Sequence, residues 1–190
     1  MKIGLFFGSF NPVHIGHLAI ANFLICYSDL SSLWFVVSPH NPLKDADALL
    51  DDNLRLEMLR LAVAGDPRFQ VSDVEFRLER PSYTIHTLRE LEKEFPQHTF
   101  VLVMGADGLE SFDQWKDYQA IIAGFERYVY PRMGNYERFL PPENGRLMDA
   151  PLIEVSSTFI RGALSEKKDI RHFLPPGIFD FIRKNDLYSH

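Results

Sequence analysis

Ten residues near the start of the chain, Gly8-Ser9-Phe10-Asn11-Pro12-Val13-His14-Ile15-Gly16-His17, bring two glycines, a hydroxyl and two imidazoles together directly after an apolar run. Gly8 and Gly16 allow close approach of the backbone to a ligand. His14 and His17 stand three residues apart at a helix start, so their rings can point the same way. Imidazole N–H donors beside the first N–H groups of a helix form an anion site, and a polyphosphate suits it. The stretch is neither a Walker loop nor a dinucleotide fingerprint, because neither GxxxxGK[ST] nor GxGxxG occurs in the chain. Taken alone, the string also fits a plain turn whose histidines cap or pack locally. Zinc is not indicated, since the HxxH spacing lacks an HExxH context and spacing identifies no third ligand.

The elements that must position these residues follow from hydrophobic period. Short β-rich runs alternate with longer segments of helical period, which predicts βαβ units around a parallel sheet. Strands are expected at Lys2 to Phe7, Leu33 to Val37, Phe69 to Asp73, Thr99 to Met104, Arg127 to Tyr130 and Leu152 to Val155. Helices are expected from about Gly16 to Tyr27, after Asp51-Asp52 with Leu54, Met58, Leu61 and Ala62 on one face, and after Pro81-Ser82 with Ile85, Leu88, Leu91 and Phe95 as the apolar stripe. Ser156 can cap a helix running through Leu164, and Pro175-Pro176 opens a last one carrying Ile178, Phe181 and Ile182. The Pro-, Gly- and Asn-containing segment Arg132 to Ala150 reads as a long surface loop, with the sheet resuming after it. The expectation is an α/β, Rossmann-like doubly wound, mainly parallel sheet with a helical C-terminal end, in one domain over residues 1–190. In such sheets ligands bind beyond the carboxyl ends of the strands, where the first strand-to-helix turn lies.

Composition agrees with this reading. The 190 residues are 46% hydrophobic and 24% charged, enough for one sizeable core. A net charge of −6 argues against a general nucleic-acid surface, so phosphate chemistry needs a local basic pocket. Cys26 is the only cysteine, which excludes an intramolecular disulfide framework and any multi-cysteine metal site. No apolar run approaches the ~20 residues of a membrane span, and a cytoplasmic protein is expected.

The string GSFNPVHIGH resembles the GxFxPxHxGH signature of the nucleotidylyltransferase superfamily, and its place after the first strand matches. Ser156-Ser157-Thr158-Phe159-Ile160-Arg161 resembles the SSTxIR motif of nicotinate- and nicotinamide-nucleotide adenylyltransferases. Pro81-Ser82-Tyr83-Thr84, Met104-Gly105-Ala106-Asp107, Trp115 and Phe173-Leu174-Pro175 extend the likeness over nearly the whole chain, to the bacterial nicotinate-nucleotide adenylyltransferases.

That resemblance implies adenylyl transfer from ATP to nicotinate mononucleotide, with deamido-NAD and pyrophosphate as products and Mg²⁺ accompanying ATP. His17, with His14 beside it, is implied as donor to the α-phosphate. Ser9 and the Phe10 backbone would hold the mononucleotide phosphate and, with Gly8, would also lie against ATP. Ser156, Ser157, Thr158 and Arg161 would take the β- and γ-phosphates, with free N–H groups and hydroxyls at a helix start. Gly105 and Asp107 would meet ribose, Trp115 would stack on the pyridine ring, and Tyr83 and Thr84 would hold its carboxylate. Either Lys44 or His40 is left as a further phosphate contact, because Pro39-His40-Asn41-Pro42-Leu43-Lys44 departs from the family's PPHK. Asn11 stands where the family more often has aspartate, and little cost is expected. No dedicated metal cage, nucleic-acid partner or membrane partner is implied, and the oligomeric state, a homo-oligomer included, is left open. Pantetheine-phosphate adenylyltransferases and cytidylyltransferases are the nearest alternatives, and a silent nucleotide-binding module is a more distant one.

Overall fold

The computed structural model describes residues 1–39, 49–134 and 143–189. Among these the strands are β1 (Lys2–Gly8), β2 (Ser32–Val37), β3 (Phe69–Ser72), β4 (Thr99–Gly105), β5 (Glu126–Tyr130) and β6 (Gly145–Leu147). The helices are α1 (Ile15–Tyr27), α2 (Asp52–Val63), α3 (Thr84–Glu94), α4 (Tyr118–Gly124), α5 (Ser157–Ser165) and α6 (Ile178–Lys184). The strands form one parallel sheet in the order β3-β2-β1-β4-β5-β6. The order reverses between β1 and β4, the place where a Rossmann-like sheet opens a crevice at its carboxyl edge.

Side chains alternate between the faces of the sheet, and each face has its own core. Phe6, Phe35, Val37, Val101, Val103, Tyr128 and Tyr130 pack with residues of α1, α2, α5 and α6. Ile3, Leu5, Trp34, Val36, Phe100, Leu102, Met104 and Val129 pack with α3, α4 and the 3-10 turn Ala106–Gln114. The expected stripe of α3 is borne out, with Ile85, Leu88 and Leu91 all buried. No helix among the described residues is long and apolar enough to cross a membrane.

Three expectations need correction. The sixth strand is Gly145–Leu147, which pairs with β5 through Arg127↔Gly145 and Val129↔Leu147. It lies inside the segment read as a surface loop, so the sheet resumes before that segment ends. Residues 152–155 are not a strand. Ile153 and Val155 pack against the core and line the cleft beside the histidines, while Leu152 is exposed. The buried face of α2 is Arg55, Leu56, Met58 and Leu59, whereas Leu61 is exposed. The sequence period was offset there because the core face carries a charged residue. The Ala106–Gln114 turn and α4 were not anticipated.

Leu5 lies on the central strand with 0% exposure. Leu5→Ala is expected to lower the unfolding free energy by about 3 kcal/mol, since a close-packed sheet core collapses little around a cavity. Urea denaturation checks it, and a loss under ~1 kcal/mol would contradict this packing.

Candidate active site

The turn after β1 sets the site. Phe10 has φ 45°, a left-handed conformation that is strained for a bulky side chain. Its ring is buried against Phe6, Phe35 and His17, at centroid distances of 6.0, 5.6 and 5.0 Å. Gly8 is required below it, because a Cβ there would stand 2.8 Å from Phe10 Cζ. The carbonyls flanking Phe10 are both held. Arg55 Nη1 donates to the Ser9 oxygen at 2.6 Å, and Arg161 Nη1 to the Asn11 oxygen at 2.9 Å. Ser157 Oγ donates to the Pro12 oxygen at 2.9 Å. Asn11 is itself buried, and its Oδ1 accepts from the Tyr188 hydroxyl at 2.7 Å and the Leu50 N–H at 3.3 Å. The amide oxygen thus meets two donors from distant parts of the chain.

His14 and His17 do point the same way, with rings stacked at 3.7 Å. The His14 backbone N–H donates to His17 Nδ1 at 3.2 Å, which assigns Nε2 as the protonated nitrogen of the His17 ring. Gly16 lets this pair close up. A Cβ there would lie 3.0 Å from His14 Nδ1 and 3.3 Å from Ile153 Cγ2. His14 is 5% exposed, and its Nδ1 makes no hydrogen bond among the described residues. Burial, with a smaller contribution from the Arg132 cation, pushes its pKa down to about 4, so the ring is neutral at physiological pH.

Residues from other strand ends complete a cleft over the pair. Tyr130 ends β5 and Pro131 and Arg132 follow it, while Ile153 and Val155 come from the segment before α5. Arg132 lies over the Tyr130 ring at 5.3 Å and pairs with Asp107 at 3.6 Å, beyond Gly105 at the end of β4. Arg132, Tyr130, Ile153 and Val155 escaped the sequence reading. A search for cations just beyond predicted strand ends finds the first of them.

Ser156 caps α5 as expected, accepting from the Phe159 N–H at 3.2 Å, and Arg161 Nη2 donates to the Thr158 hydroxyl at 3.4 Å. On the other side of the sheet Tyr83 is the N-cap of α3 and Thr84 its first residue. Trp115 closes the 3-10 turn with its ring edge-on to Phe112 at 5.3 Å, and Lys116 Nζ sits 4.6 Å from the Tyr83 ring centre. Lys44 and His40 lie outside the described residues. A broader depression, lined by Arg60, Gly65, Phe69 and Gln70, sits at the opposite end of the strands and gathers no comparable set of groups.

A parallel sheet of this order with a His-x-Gly-His helix start beyond its first strand defines a nucleotide-transferring α/β protein. The cytidylyltransferase-like family model matches residues 5–163. The chain is 46% identical to the probable nicotinate-nucleotide adenylyltransferase of Flavobacterium psychrophilum, covering 100% of both chains. It is 51% identical to that of Porphyromonas gingivalis over 92% of this chain and 90% of the relative. Its fold matches Plasmodium falciparum nicotinic acid mononucleotide adenylyltransferase complexed with NaAD, with TM-score 0.82, 18% identity, and coverage of 99% of this chain and 97% of that one. The chain belongs to the nicotinate-nucleotide adenylyltransferases.

The depressed His14 pKa has a consequence for stability. Between about 6.5, its ordinary value, and about 4 the unfolded chain binds a proton that the folded chain refuses. Stability contributed by neutral His14 is therefore complete above that window and is lost as pH falls through it, by an amount on the order of 3 kcal/mol. NMR titration of the imidazole is expected to show no His14 midpoint above about pH 5. A midpoint near 6.5 would contradict the buried placement.

Proposed function

We infer that the chain transfers the adenylyl group of ATP to nicotinate mononucleotide, forming deamido-NAD and pyrophosphate. One observation carries this reading. His17, with Nε2 set as its N–H donor by the His14 amide, stands at the start of α1 over the crevice, in a chain that matches adenylyltransferases along its whole length.

A 5′-phosphate oxygen of the mononucleotide is already anionic near neutral pH and needs no general base. It attacks the α-phosphorus of ATP in line, the new P–O bond forms, and the bond from that phosphorus to the bridging oxygen of the β-phosphate breaks. No covalent enzyme intermediate arises, so the protein supplies position and charge stabilisation. His17 Nε2–H donates to the α-phosphate as charge develops, and neutral His14 braces its ring. Ser9 and the Phe10 amide hold the attacking phosphate. Gly8 lines the ATP side, and the start of α5 with Ser156, Ser157, Thr158 and Arg161 receives the leaving pyrophosphate. Arg132 adds positive charge beside the same cleft.

Gly105 and Asp107 are assigned to ribose, with the carboxylate accepting from hydroxyls. Trp115 offers a ring face to the pyridine, and the first N–H groups of α3 at Tyr83 and Thr84 take its carboxylate. Lys44 or His40 adds a further phosphate contact. Mg²⁺ brought with ATP would offset phosphate charge. A cytoplasmic setting supplies ATP.

Incubation with ATP, Mg²⁺ and nicotinate mononucleotide, followed by chromatography, tests the reaction, and absence of both products would refute it. His17→Ala is expected to lower kcat by about 10²- to 10³-fold while the thermal melt stays near wild type. Near-normal turnover in that variant would remove His17 from the mechanism. The nicotinate nucleotide should be preferred over the nicotinamide one by at least ~10²-fold in kcat/KM, because an amide NH₂ would face donors at the start of α3. Equal kcat/KM for the two would refute the ring-pocket assignment and leave adenylyl transfer standing.

A further inference from the structure

Arg55 lies on the core side of α2 and is 0% exposed, at a position where helical period calls for an apolar residue. Its guanidinium gathers three separate parts of the chain. Nη1 donates to the Ser9 oxygen at 2.6 Å and the Ser38 oxygen at 2.9 Å, Nη2 to the Pro39 oxygen at 3.1 Å, and Nε to the Leu50 oxygen at 3.0 Å. Nη2 also meets the Asp52 carboxylate, which Arg80 contacts from outside at 2.8 Å. A lysine ammonium could not reproduce this planar fork of donors.

The carbonyls that Arg55 holds belong to one half of the site. Ser9 opens the turn that carries Phe10, and Ser38-Pro39 ends the β2 segment. The side chain of Ser38 lies beside Glu75, whose carboxylate accepts from Ser82 Oγ at 3.1 Å and Thr87 Oγ1 at 2.7 Å. Those two residues flank the start of α3. The network thus runs through buried polar groups from the Ser9 turn to Tyr83 and Thr84. On the α5 side the same turn is held by different groups, Arg161 on the Asn11 carbonyl and Ser157 on the Pro12 carbonyl.

We propose that Arg55 is a positioning residue for the mononucleotide half of the site: by holding the Ser9, Ser38 and Pro39 carbonyls in one guanidinium fork, it sets the turn that takes the mononucleotide phosphate and, through Ser38 and Glu75, the helix start that takes the ring. The inference rests on the reading that assigns Ser9, Phe10, Tyr83 and Thr84 to the mononucleotide. ATP also meets the start of α5, which Arg161 and Ser157 tie to the turn without Arg55, so its ground-state binding depends on Arg55 less.

Calorimetric titration of the full chain with nicotinate mononucleotide and, separately, with Mg·ATP tests this without relying on turnover. Arg55→Lys keeps the charge and most of the bulk. It is expected to weaken mononucleotide binding by about tenfold or more and ATP binding by less than about threefold, with the steady-state KM values split the same way. Asp52→Asn removes the carboxylate partner while leaving Arg55 in the core, and should give a smaller split of the same sign. Should Arg55→Lys fail to fold in a thermal melt, the Asp52→Asn split decides the question. Equal weakening of both ligands, or wild-type affinity for both, overturns the proposal. A wild-type chain that binds ATP but no mononucleotide overturns the substrate reading and the positioning role with it, whereas normal wild-type binding without a split in the variants overturns the positioning role alone.

Discussion

A guanidinium wholly removed from water is costly unless acceptors surround it, and Arg55 resolves that demand with four backbone carbonyls and one carboxylate. Satisfying the charge leaves Ser9, Ser38, Pro39 and Leu50 little latitude. The ends of β1 and β2 and the approach to α2 are therefore set by one side chain. Phe10 between its held neighbours sits in a left-handed conformation costing on the order of 1–3 kcal/mol, which persists because carbonyls on both sides are held and its ring is buried. The histidine pair stands on that turn, since the Phe10 ring packs directly against His17.

The two layers covering the sheet contribute different chemistry. His14 and His17 at α1, Arg55 on α2 and Arg161 on α5 all come from one layer, that of Phe6, Phe35 and Tyr130. Tyr83, Thr84 and Trp115 come from the opposite layer, that of Leu5, Trp34 and Leu102. In the proposed reading, phosphates lie over the first layer and the pyridine ring over the second. A substrate with both parts must then straddle the end of the sheet near β1, where the strand order turns.

Much of this was legible in the sequence, for identifiable reasons. The β1 turn and the Ser156 cap combine residue types that serve local hydrogen bonding and close approach, and local rules read them directly. Short β-rich runs located the first five strands. Residues 152–155 misled because an apolar, β-branched run describes burial, not a ladder; Ile153 and Val155 are partly buried beside the histidines instead. The strand that does complete the sheet, Gly145–Leu147, is short and carries an exposed Arg146 and Leu147, so no alternation marks it. Arg55 was illegible for a related reason: an arginine in an amphipathic helix reads as solvated, and only the convergence of distant carbonyls shows otherwise. Arg132 was missed because nothing local distinguishes a cation that lines a cleft with His14 and pairs with Asp107, residues distant in sequence.

Tyr188 belongs to the segment after α6, yet its hydroxyl reaches Asn11, 177 residues earlier. Arg161 and Ser157 likewise reach back from α5 to the Asn11 and Pro12 carbonyls. A ribosome makes the histidines well before Ser157, Arg161 and Tyr188. During synthesis the β1 turn cannot acquire its full set of hydrogen bonds until α5 and the segment after α6 have emerged, so the histidines wait on contacts supplied from far along the chain.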